Sequence, residues 1–178
     1  MSNRTQKNFH MDSPIVNRVT ESGLVTIDLE KVLPEWKVKP FDLASFLYMG
    51  LVLKEKDFRE AVENHDWNAY RGAHVAVFCS ADAIVPHWAH MLVVSRLSGL
   101  AESVYPGTVG ETTKTMTLDF ISRLRVAEYA GKRVVVKGCG DRSIPDYAYA
   151  AIAGVLTPHV KSLMYGEPCS TVPVFKRK

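Results

Sequence analysis

The chain has 178 residues, 47% of them hydrophobic, and a formal net charge of +3. That length suits one domain with one substantial core, and the composition is that of a soluble globular protein. Basic residues are spread out apart from Lys176 to Lys178, with no basic stripe among aromatics, which disfavours nucleic acid; no apolar run approaches the roughly 20 residues that span a bilayer.

The first dozen residues, MSNRTQKNFHMD, are polar and hold no apolar signal core. Residues 1–14 are read as a disordered tail without a secretory address, which places the protein in the cytoplasm. SGLVTIDLEKVL makes a strand or short entry element around Leu24 to Leu29. PFDLASFLYMG reads as helical, with Pro40 near its first turn and Asp42 as a cap. LKEKDFREAVENH spaces Leu53, Phe58, Ala61 and Val62 along one side of a helix. YRGAHVAVF turns at Gly72 and becomes a strand from Val75 to Phe78.

From Pro86, PHWAHMLVVSRLSGL is apolar almost all round, the pattern of a helix buried against a sheet. ESVYPG is a short strand, and GETTKTMTLDFISRL a helix from Thr112 or Thr113. YAGKRVVVKG is a turn and a strand; PDYAYAAIAGVL is a helix opened by Pro145. VKSLMYG is the last strand, and EPCSTVPVFKRK a tail. Such alternation predicts an α/β fold over residues 15–178, a largely parallel sheet with helices packed on it and right-handed crossovers.

The two halves match, over about 55–107 and 117–166. Asp57-Phe58 aligns with Asp119-Phe120, and Tyr70 and Gly72 with Tyr129 and Gly131. Val75 and Val77 align with Val134 and Val136, Cys79 with Cys139, Asp82 with Asp141, and Val85-Pro86 with Ile144-Pro145. The fold is therefore expected to be a duplicated helix-strand-helix-strand unit.

Ligands of open α/β sheets collect beyond the carboxyl ends of the strands. Cys79 and Cys139 are expected there, each ahead of a helix N-terminus that favours the thiolate. Cys169 follows the last expected strand. Three thiolates on one rim suit Zn²⁺ or Fe, and Glu167, Asp82, Asp141, His87 or water can take the fourth place. Glu167 stands nearest to a cysteine in sequence. His87 and His90 lie three apart without the glutamate of a zinc-protease helix and read as capping or packing residues. Asp82 and Asp141 also suit caps or Asx turns, and Gly138 and Gly140 permit a tight turn beside a ligand. Trp88, Tyr147 and Tyr149 read as core or pocket wall.

Several common sites are missing. Val85 and Pro145 stand six residues after the corner cysteines, where a cysteine phosphatase needs arginine. There is no Walker phosphate loop, no complete G-x-G-x-x-G after a strand and no G-x-S-x-G elbow.

The stretches LKEKDFREAVENHDW, CSADAIVPHWA, KGCGDRSIPDYAY and GEPCSTVPVFKRK resemble the bacterial family catalogued as domain of unknown function 2480, from about Ile15 to Lys178. The resemblance implies that the three cysteine motifs fall on Cys79, Cys139 and Cys169. It also implies an association with iron–sulfur cluster assembly. The leading expectation is thus an accessory protein that binds Zn or Fe through Cys79, Cys139, Cys169 and Glu167, with iron–sulfur assembly proteins as partners. A thiol enzyme is the alternative, with Cys139 as nucleophile and His87 or Asp141 beside it. A third reading is an interaction protein, such as a homodimer, whose cysteines are core residues.

Overall fold

A computed structural model describes residues 23–138 and 140–178. The expected tail at residues 1–14 and the corner residue Cys139 lie outside the described residues. The architecture is mixed α/β, and the strands form two sheets rather than one.

Strand β1 spans Leu24–Asp28, and the single helical turn α1 follows over Leu29–Val32. Strand β2 spans Val38–Asp42, followed by a 3-10 turn over Leu43–Phe46. This corrects the helical reading of PFDLASFLYMG. Pro40 lies within β2, an edge strand, where a missing N–H is tolerated. The expected cap holds: the Asp42 carboxylate accepts the Ala44 N–H at 2.9 Å. Helix α2 covers Glu55–Glu63 and strand β3 His74–Phe78; helix α3 covers His87–Leu97 and strand β4 Ser103–Pro106.

The second half repeats that order. Helix α4 covers Val109–Ser122, strand β5 Arg133–Lys137, helix α5 Asp146–Leu156 and strand β6 Ser162–Glu167. Helix α4 starts earlier than the threonines indicated, because Thr108 and Glu111 close a capping box. The segment read as a tail contains a seventh strand, β7 (Ser170–Lys176), antiparallel to β6.

One sheet is ordered β2-β3-β4 and is wholly parallel; the other is β1-β5-β6-β7, parallel but for β7. The first two strands thus part company: β1 joins the later half of the chain, and β2 the earlier half. Strands β3 and β5, each interior in its sheet, are buried valine runs, as parallel sheets require. Val75 and Val77 pack with Phe58, Val62, Ala89 and Val93. Val134 and Val136 pack with Ile27, Ile121, Ile152 and Leu163. Helix α4 contacts β2 and β3 as well as α5 and so joins the two cores. Trp36, in the link between β1 and β2, donates its indole N–H to the Thr117 hydroxyl on α4 at 3.2 Å.

Candidate functional site at the carboxyl ends of the strands

Both sheets end in a corner built from a carboxylate that closes the first parallel strand. At the β2-β3-β4 corner, Asp42 ends β2 beside Phe78, its register partner on β3. Its carboxylate caps the 3-10 turn, accepts the Ser80 N–H at 3.0 Å and accepts the Ser80 hydroxyl at 2.5 Å. Partial burial pushes this carboxyl up. The bonds from the Ser80 hydroxyl and from the two backbone N–H groups outweigh that, and Asp42 titrates below the usual carboxylate range. Cys79, between Phe78 and Ser80, is half-buried against the helix-side core and points its thiol at the Ala81 carbonyl, 3.6 Å away. Asp82 and His87 are exposed, and His87 opens α3.

At the other corner, Asp28 ends β1 beside Lys137 on β5. Asp28 caps α1 by accepting the Glu30 N–H at 3.2 Å. Lys137 Nζ lies 3.6 Å from Asp28 Oδ2 and 3.4 Å from Glu167 Oε1 on β6. The hydrogen bond and charge of Glu167 chiefly raise the Lys137 ammonium above its ordinary value, with Asp28 adding to them. Glu30 accepts the Gly140 N–H, and Arg142 donates to the Leu29 and Leu33 carbonyls at 3.3 and 2.9 Å.

Gly138 and Gly140 are required by space, and the neighbours that require it belong to the protein. A Cβ on Gly138 would strike the Tyr149 hydroxyl and come within 3.1 Å of Ile144 Cγ1. A Cβ on Gly140 would come within 2.5 Å of the Glu30 carboxylate. The glycines expected to admit a ligand instead admit a tyrosine and a glutamate.

The metal reading is overturned. Among the described residues, no group of three His, Cys, Asp or Glu side chains could hold a metal ion. Cys79 belongs to the β2-β3-β4 sheet, while Cys169 sits exposed in the two-residue turn between β6 and β7. The expectation of one rim assumed one sheet. Pairing β1 with β5 and β2 with β3 divides the strand ends between two sheets and separates these sulfurs. Glu167, the favoured fourth ligand, is engaged by Lys137. Cys79 packs half-buried against a core cluster while Cys169 is exposed, so the core-cysteine form of the third reading fails at Cys169.

The same sheet edge carries a different feature. A groove of about 440 Å³ lies between α5 and the strands β5, β6 and β7. Val136, Ala150, Ile152, Ala153 and Leu163 line its floor and one wall, and Val174 on β7 lines the other. Tyr149 and Tyr165 stand in it edge to face, ring centroids 5.5 Å apart. The Tyr149 hydroxyl donates to the Gly138 carbonyl at 3.1 Å. Asp146, in the first turn of α5, is the one charged residue of the lining. Tyr149 was expected as core or pocket wall and lines this groove. Tyr165 was placed in a strand but not in a site, and β7 was missed because EPCSTVPVFKRK was read as a tail. The alternation of Val172 and Val174 with neighbours was the available signal.

At the opposite, amino ends of the other sheet, His74 Nδ1 lies 2.7 Å from the Ser103 hydroxyl. The two are register partners on β3 and β4, so strand pairing alone brings them together.

A family model described as protein of unknown function (DUF2480) matches residues 13–177. No curated protein and no solved structure matches the chain.

Proposed function

The chain belongs to the DUF2480 family, and from that premise we propose that it is a binding protein for a small molecule held in the groove between α5 and β7. The observation that carries this reading is an apolar groove of about 440 Å³, at the size of small-molecule sites, with a few convergent polar groups. Its position supports the reading too, since Val136 and Tyr165 lie near the carboxyl ends of parallel strands. Aliphatic walls and two tyrosine rings suit an apolar or aromatic body. Asp146, the sole charge in the lining, suits an amine or another strong hydrogen-bond donor at one end.

The experiment is a thermal-shift screen of alkyl and aryl amines against the carboxylates of the same skeletons. A ligand at about ten times its Kd adds roughly 1.4 kcal/mol, which moves the melting temperature by a few degrees. Amines are expected to stabilise the protein and carboxylates to leave it unmoved. Ala153→Trp fills the groove and abolishes the shift; Asp146→Asn removes the preference for amines. Shifts that survive Ala153→Trp, or a screen without any shift, overturn the proposal.

The duplicated unit belongs to the same reading. Ile27-Asp28-Leu29 at the end of β1 matches Phe41-Asp42-Leu43 at the end of β2. Each aspartate caps the turn that follows, and each leucine is fully buried. This supports two copies of one unit, each starting from its own strand, with the groove arising where the second copy gained β7. Two free thiols among the described residues support a reducing compartment such as the cytoplasm.

A further inference from the structure

Helix α3 is apolar nearly all round, yet this fold buries only one side of it. Ala89, Val93 and Leu97 are fully buried, while Met91 is 70% and Val94 43% exposed. Three residues ahead of the helix, Ile84 is 90% exposed. Ile84 forms a β-bridge with Val52, which ends a tight turn whose residues Met49, Leu51 and Val52 are 78%, 68% and 50% exposed. Met49 holds a positive φ of 51°, a conformation that a non-glycine side chain adopts at a cost. The Leu51 N–H donates to the Tyr48 carbonyl at 3.1 Å and closes this turn, so its apolar side chains are held outward.

We infer that this surface is an interface between two copies of the chain, closed about a twofold axis. The area argues for it. Fully burying an aliphatic side chain removes roughly 120 Å² of apolar surface from water. The exposed fractions amount to about four such side chains, hence on the order of 500 Å² of apolar surface. A standard interface takes about 800 Å² from each partner, and homodimer interfaces are about 65% apolar, which is again roughly 500 Å². Charge argues the same way. None of the six residues is ionisable, so the surface can face its own copy without like-charge repulsion. Twofold closure leaves no complementary surface open to propagate a filament.

The test is the mass of the full chain in solution, by light scattering or sedimentation over a concentration series. A dimer is expected. Ile84→Lys and Met91→Glu should each halve the observed mass with the circular dichroism spectrum and melting of the dissociated protein intact, since both positions are exposed in one copy. Val172→Lys, on β7, should leave the dimer as it is. A monomer at every concentration overturns the inference and leaves the surface to a different protein. A dimer indifferent to both substitutions overturns it as well, by placing the interface elsewhere.

Discussion

Asp42 is the most heavily used side chain of its corner, and its removal gives a worked case. Asp42→Ala deletes the cap on the Leu43–Phe46 turn and two bonds that hold Ser80. A lost cap costs about 1 kcal/mol. A bond to a charged acceptor is worth about 1.5–3 kcal/mol when shielded. Ser80 is exposed, so the two bonds together are cut to about 1 kcal/mol for solvent screening. The expected loss is about 2 kcal/mol at neutral pH, or a melting temperature lower by roughly 4–8 °C. The cost should depend on pH. The folded-state pKa of Asp42 is depressed, so its stabilisation is present above the unfolded value near 3.9 and is lost as pH falls through the folded value. Urea unfolding of the parent and Asp42→Ala from neutral pH down to about pH 3 measures both effects. The gap should hold above about pH 5 and shrink below about pH 4. A variant as stable as the parent at neutral pH, or a gap that does not shrink in acid, refutes the assignment.

Two further predictions concern the other corner. Lys137 is raised by Glu167, so its contribution is present below the unfolded pKa near 10.4 and lost as pH rises through the higher folded value. The stability gap between the parent and Lys137→Met should therefore close in strong alkali, and Glu167→Gln should close most of it at neutral pH; a gap indifferent to both contradicts the assignment. Gly138→Ala should destabilise by about 1–3 kcal/mol through overpacking against Tyr149 and Ile144. Tyr149→Phe in the same chain should recover part of that in a thermal melt, because the hydroxyl is the nearest obstacle; no recovery would move the strain elsewhere.

The corner itself was legible before any coordinates. The match of Val75-x-Val77 with Val134-x-Val136 marks β3 and β5, and Pro86 and Pro145, read as opening the following helices, stand at the N-caps of α3 and α5. The amphipathic spacing of α2 was legible for the same reason, since a period near 3.6 is written in adjacent residues. Pro40 misled by reading as the first turn of a helix; it lies in β2, which like β7 is an edge strand, and edge status is not a local property. The apolar circumference of α3 was read as full burial. One face packs on the sheet, and none of the other described residues covers the second face.

Local chemistry, read from the residues in order, therefore determined most of the elements, the buried valine strands β3 and β5 and the Asp42 cap, but not the edge strands β2 and β7. Tertiary structure alone decided which strand lies beside which. Hydrogen bonding between β1 and β5 spans more than a hundred residues, and nothing in the side chains of either strand records that choice over its alternative. Because that pairing divides the strand ends between two sheets, it also decided that Cys79 and Cys169 do not share a site and that a groove opens beside β7 instead.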